Sequence, residues 1–83
     1  MAKEKLGAFV LICTNENKEI VSCDGYKTKE EAQWAMMKAF DNQTDSYMDE
    51  GYSVINIRRE LGLHSATVGV GESDRYEWLI REI

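Results

Sequence analysis

The stretch AFDNQTDSYMDEG, residues 39–51, holds the densest set of groups able to do chemistry: Asp41, Asp45 and Asp49 at every fourth position, then Glu50. Carboxylates so placed can bind a cation, move a proton or face a basic surface. A calcium loop counted from Asp41 needs glycine at its sixth position and glutamate at its twelfth, where Ser46 and Tyr52 stand instead. Counting from Asp45 fails as well. On a straight helix the three aspartates form a row and do not converge on one ion, so no metal ligands are assigned. Glycosidase-type catalysis needs two carboxylates facing each other across a cleft, which a chain this small offers little room to form.

Other reactive residues carry less. His64 is the single histidine, and its neighbour Ser65 does not make a nucleophile–base pair by adjacency in sequence. GVGESD opens like a dinucleotide loop, but Asp74 occupies the third glycine position and a hairpin turn accounts for it. There is no Walker loop, Cys-x-x-Cys or His-x-x-x-His. Asn42 sits in an NQT glycosylation sequon that falls within a helix pattern, and it is discounted. The chain reads as a non-enzyme with no catalytic residue and no cofactor.

Eighty-three residues make one domain, residues 1–83, and 43% hydrophobic content without proline suits a folded one. A core this small is marginal. The net charge of −5 disfavours direct nucleic-acid binding. It is also uneven. Residues 29–50 carry a net −4, whereas residues 51–83 hold all four arginines and a net −1. The opening MAKEKLGAFVLICT faintly resembles a signal peptide, but Glu4 interrupts its basic part and no cleavage site follows. It reads as a strand of a cytoplasmic protein, and no segment has the roughly 18 apolar residues that span a membrane.

The elements follow from pattern. LGAFVLIC and EIVSC flank TNENK, a β-hairpin. A loop centred on Glu16 and Asn17 sets Val10 opposite Cys23 and Ile12 opposite Val21, with Phe9, Leu11, Cys13 and Ile20 sharing the other face. The cysteines then lie on opposite faces, and both read as buried, reduced thiols. Thr28 and Glu31 form a capping box, and the helix runs from about Lys29 to about Met48, with Gly51 as its stop. YSVINIRREL is a strand with Ile55 and Ile57 on one face, and GLHS is a loop. Ala66, Val68 and Val70 alternate onto one face. RYEWLIREI alternates too, with Tyr76, Trp78 and Ile80 together; a terminal helix is its alternative. The class is α+β, order β-β-α-β-β-β, with one long helix packed on a curved antiparallel sheet. One helix covers one face of a sheet, so the strands' second apolar face implies strong curling or a further chain.

At 100° per residue, Ala32, Ala35, Met36, Ala39, Phe40 and Tyr47 form the helix's core face. Trp34, Met37, Asp41, Thr44 and Met48 form a second seam opposite, flanked by Asp45 and Asp49. Like charges one turn apart cost a helix about 0.2–0.5 kcal/mol per pair, and acids in the last turn oppose its dipole. A solvated face would tolerate that. Beside an outward tryptophan and methionines it has the make-up of an interface with a charged rim. The expected partner-binding residues are Trp34, Met37, Asp41, Asp45, Met48, Asp49 and Glu50, facing a protein with a basic surface. Carboxylates one turn apart, roughly 6 Å, match the scale of neighbouring phosphates, so such a ridge could occupy a nucleic-acid channel.

The apolar first hairpin, the TKEEAQWAM helix entry and the closing YEWLIREI strand together resemble small acidic proteins of bacteria and their phages. Most of these are uncharacterised; some inhibit host defence, anti-CRISPR proteins among them. The resemblance implies a phage or mobile-element inhibitor and assigns no residue a role. Two alternatives stand beside it. One is a homo-oligomeric module, such as a homodimer, in which self-association consumes the open sheet face and Trp34 and leaves the acids as solvated surface. The other is a small-anion binder using Arg58, Arg59, Arg75 and Arg81, although cross-strand pairing with Glu60, Glu77 and Glu82 explains those arginines more simply.

Overall fold

The computed structural model describes residues 8–83 and has the α+β architecture expected from the sequence. The strands are β1 (Phe9–Asn15), β2 (Ile20–Tyr26), β3 (Ile57–Leu61), β4 (Ser65–Val70) and β5 (Asp74–Glu82), with one helix, α1 (Lys29–Asp49), after β2. All pairings are antiparallel, and the sheet order is β2-β1-β5-β4-β3. The C-terminal strand thus slots between β1 and β4 and makes both of them internal. Leu6 and Gly7, assigned to the first strand from sequence, lie outside the described residues.

The hairpin turn is built by Asn15. Its side-chain carbonyl accepts from the Asn17 and Glu19 N–H groups at 2.9 and 3.1 Å, and Lys18 takes a left-handed φ of 66°. This geometry moves the register by two residues from the expected one: Val10 pairs with Gly25 and Ile12 with Cys23. A two-residue shift keeps each side chain on its face; Cys13 is buried, whereas Cys23, on the edge strand β2, is exposed and not buried as expected, and both are free. A bulge at Cys13/Thr14 then sets Ile20 opposite Thr14. Ile20 leaves the Leu11–Cys13 face and is exposed, which corrects its assignment to that face.

Helix α1 starts as its capping residues dictate. The Thr28 hydroxyl accepts the Glu31 N–H at 3.1 Å, and the Glu31 carboxylate accepts the Lys27 N–H at 3.2 Å, one residue earlier than in the usual box. At the other end Gly51 takes φ 109°, a conformation that glycine adopts without strain. The Gly51 N–H then donates to the Met48 carbonyl and the Tyr52 N–H to the Tyr47 carbonyl, a Schellman stop. The Tyr47 and Tyr52 rings close it edge to face, 5.9 Å apart.

After the helix, Val54–Asn56 form a 3-10 turn, not the start of a strand. The Asn56 N–H bonds back to the Ser53 carbonyl, which withholds Ile55 from the sheet and leaves it 87% exposed. Only Ile57 of the expected Ile55–Ile57 pair is buried. The last segment is a strand along its length: Trp78 pairs with Cys13 and Ala66, and Ile80 with Leu11.

The core lies between α1 and one sheet face. Leu11, Cys13, Ala66, Val68, Val70, Trp78 and Ile80 meet Ala32, Met36, Phe40 and Tyr47. Phe40 and Trp78 make an edge-to-face contact at 6.4 Å. Each large side chain withdrawn from water here contributes about 1.5–3 kcal/mol. The opposite sheet face carries half-buried Val10, Ile12 and Leu79, with no element of the described residues packed over it. No helix among the described residues is long and apolar enough to cross a membrane.

Candidate functional site

The buried row of α1 reads Ala32, Met36, Phe40, Thr44, a step of four residues. Such a row is inclined to the helix axis, so the core stripe drifts around the helix along its length. That drift decides the fate of the proposed outer seam. Thr44 is only 4% exposed and its hydroxyl donates to the Phe40 carbonyl at 3.0 Å, so it belongs to the interior and not to the seam. Met37, Asp41, Asp45 and Asp49 form the adjoining row, along the flank of the packed stripe.

Asp41 is therefore not presented outward alone. Its carboxylate meets the Arg59 guanidinium of β3 at 3.0 Å, and that guanidinium also lies 4.6 Å from the centroid of the Phe40 ring. The contact ties the helix flank to the edge of the sheet. Asp45, Asp49 and Glu50 remain exposed, and among the described residues none of them is in an ion pair.

Trp34 is 60% exposed, and Met37 and Met48 are also exposed. The indole borders an open hollow of about 570 Å³ between α1 and the end of β2, lined also by Tyr26, Lys27, Glu31, Ala35 and Lys38. Trp34 and Met48 are fourteen positions apart, roughly 21 Å along the axis. The outer face is thus two regions: an aromatic end with lysines beside it, and an acidic end at the helix C-terminus. The sequence reading had merged them into one seam.

The register also rearranges the arginines. Arg58 pairs with Gly69 and Gly69 with Arg75, while Glu60 pairs with Thr67 and Thr67 with Glu77. Like charges share rows, so the expected cross-strand Arg–Glu pairs do not form. Among the described residues the ion pairs are Arg59–Asp41 and Lys18–Glu77. Arg58 and Arg75 bracket Gly69 and wall a surface cleft with Glu60 and Thr67. Arg81 pairs with Val10 at the far end of β5.

A second grouping escaped the sequence reading. Glu16 of the β1–β2 turn, Gln43, Tyr47 and Glu50 at the end of α1, and Asp74 and Tyr76 of β5 line a hollow of about 170 Å³. The Tyr47 hydroxyl is buried there without a hydrogen-bond partner. Burial, then the charge of Asp74 and, less, Tyr76, Glu50 and Glu16, pushes its pKa up to about 12. The sequence points to this site through Glu50, one of the expected partner-binding residues, while Asp74 reads only as part of a turn. Elsewhere burial raises the Cys13 thiol pKa, and Tyr26 is raised by burial and then by Asp24.

No group of three or more His, Cys, Asp or Glu side chains among the described residues is arranged to hold a metal ion. The fold and these surfaces define a small α+β domain with one helix on a five-stranded antiparallel sheet. Comparison with protein-family models, with curated proteins and with solved structures gave no match.

Proposed function

We propose that the protein is a non-catalytic binding module that docks the outer side of α1 on another protein. The exposed Trp34 carries this reading: a large indole left 60% in water on a rigid, well-capped helix. Aromatic side chains of this kind are the usual energetic anchors of interfaces, and Met37 beside it adds adaptable apolar surface. Asp45, Asp49 and Glu50 at the acidic end favour a partner with a basic surface, steering its approach more than adding affinity. Asp41 acts from within its Arg59 pair, and Met48 lies at the acidic end.

A protein that handles nucleic acid presents such a surface, and an inhibitor of the phage-encoded, anti-CRISPR-like kind is the proposed role. The test is capture from cells that carry the gene, comparing the native chain with Trp34→Ala and with Asp45→Asn/Asp49→Asn. Capture should fall at least tenfold in both variants while circular dichroism stays unchanged. Undiminished capture by Trp34→Ala would remove the reading.

A second reading rests on the uncovered sheet face, where half-buried Val10, Ile12 and Leu79 adjoin one another through the register. A homodimer joined there would withdraw them from water. Light scattering separates the two, since a strict monomer at high concentration rules out the homodimer.

A further inference from the structure

Three segments far apart in sequence bring carboxylates to one end of the molecule: Glu16 from the β1–β2 turn, Glu50 from the C-cap of α1 and Asp74 from the start of β5. None of the three is in an ion pair among the described residues. The end of α1 adds negative potential from its carbonyls, and its last turn holds no basic side chain. A concentration of negative charge alone is ordinary acidic surface.

What distinguishes this place is its floor. Tyr47 is 3% exposed and lines the hollow, and its hydroxyl, buried within reach of the charges of Asp74, Glu50 and Glu16, has no partner of its own. Buried hydroxyls are nearly always hydrogen-bonded, because leaving one unmade costs about 1–3 kcal/mol. The Tyr47 ring packs edge to face on the Tyr52 ring, whose backbone N–H closes the Schellman stop on the Tyr47 carbonyl. The carboxylates are not arranged to close on a metal ion. A larger cation, with several donors pointing in different directions, fits acceptors that arrive from three segments and a floor.

We propose that this hollow receives the guanidinium of an arginine side chain from the partner protein. Glu16, Glu50 and Asp74 supply the carboxylates, and the Tyr47 hydroxyl oxygen is the acceptor at the base. The planar, five-donor guanidinium suits such divergent acceptors and is more weakly hydrated than an ammonium group. The inference rests on the docking reading for the source of the arginine. It adds a specific pocket at the acidic end, away from Trp34.

The test uses the whole chain and a small probe, N-acetyl-arginine amide, followed by amide chemical shifts. Saturable shifts should centre on Glu16, Tyr47, Glu50 and Asp74. Glu16→Gln/Asp74→Asn should weaken binding at least tenfold and Tyr47→Phe several-fold, with Glu30→Gln as an acid-removal control that keeps full affinity. Absence of saturation, unchanged binding in the Glu16/Asp74 or Tyr47 variants, or equal affinity for N-acetyl-lysine amide would overturn the proposal. The titration needs no partner. Its failure alongside Trp34-dependent capture removes the hollow alone, and its success without such capture removes the docking reading while the hollow stands.

Discussion

The Arg59 guanidinium sits 3.0 Å from the Asp41 carboxylate and 4.6 Å from the centroid of the Phe40 ring, joining the flank of α1 to the edge strand β3. Both partners are partly exposed, so the ion pair itself contributes modestly, with a coupling of about 0.3–1 kcal/mol expected. A double-mutant cycle with Asp41→Asn and Arg59→Gln in urea, repeated at high salt, measures it. Arg59→Gln should cost more than Asp41→Asn, because it also gives up the contact with the Phe40 ring.

The two tryptophans should behave as opposites. Trp34→Ala is expected to change stability by no more than about 0.5 kcal/mol, as for other exposed sites. Trp78→Ala opens a cavity against Phe40 and should cost about 3–5 kcal/mol. Iodide quenching on single-tryptophan variants gives an independent check: Trp34 emission should be quenched readily and Trp78 emission hardly at all.

Tyr47 makes alkaline stability informative. Its hydroxyl ionises near 10 in an unfolded chain and at about 12 in the fold. Between these values the folded state holds a proton that the unfolded state has lost, so stability falls as pH rises through that window. Below about pH 10 the group has no such effect. Tyr47→Phe should remove its share of the alkaline loss and, by deleting an unpaired buried hydroxyl, should be neutral or stabilising by about 1 kcal/mol at pH 7. Thermal melts from pH 7 to 12 on both proteins test this.

Gly69 leaves no room for a side chain. A Cβ there would lie 2.9 Å from the Asp74 backbone oxygen and 3.3 Å from the Arg58 guanidinium. The backbone oxygen cannot yield without disturbing the β4–β5 ladder, so Gly69→Ala should cost about 1–3 kcal/mol. Denaturant unfolding measures it, and an unchanged midpoint would show that the turn yields freely.

What the chain order and local patterns determined is the set of elements. Thr28, Glu31 and Gly51 bounded the helix because capping is a matter of a few consecutive residues. Ala66, Val68 and Val70, and likewise Tyr76, Trp78 and Ile80, were legible as sharing a face because a strand's period of two needs no knowledge of its neighbours; that both sets face the helix came from the packing. Trp34 could be placed outward because the helix's 100° per residue sets it opposite the apolar stripe. Periodicity failed where a local bond or a long-range contact overrode it. The Ser53–Asn56 turn took Ile55 out of β3, and the inclined packing row drew Thr44 inward. Only the tertiary structure set β5 between β1 and β4, paired Asp41 with Arg59, and gathered Glu16, Tyr47, Glu50 and Asp74 around one hollow. Those outcomes depend on which strand ends share an end of the sheet, and strand order is fixed by the packing of the whole domain rather than by any stretch of it.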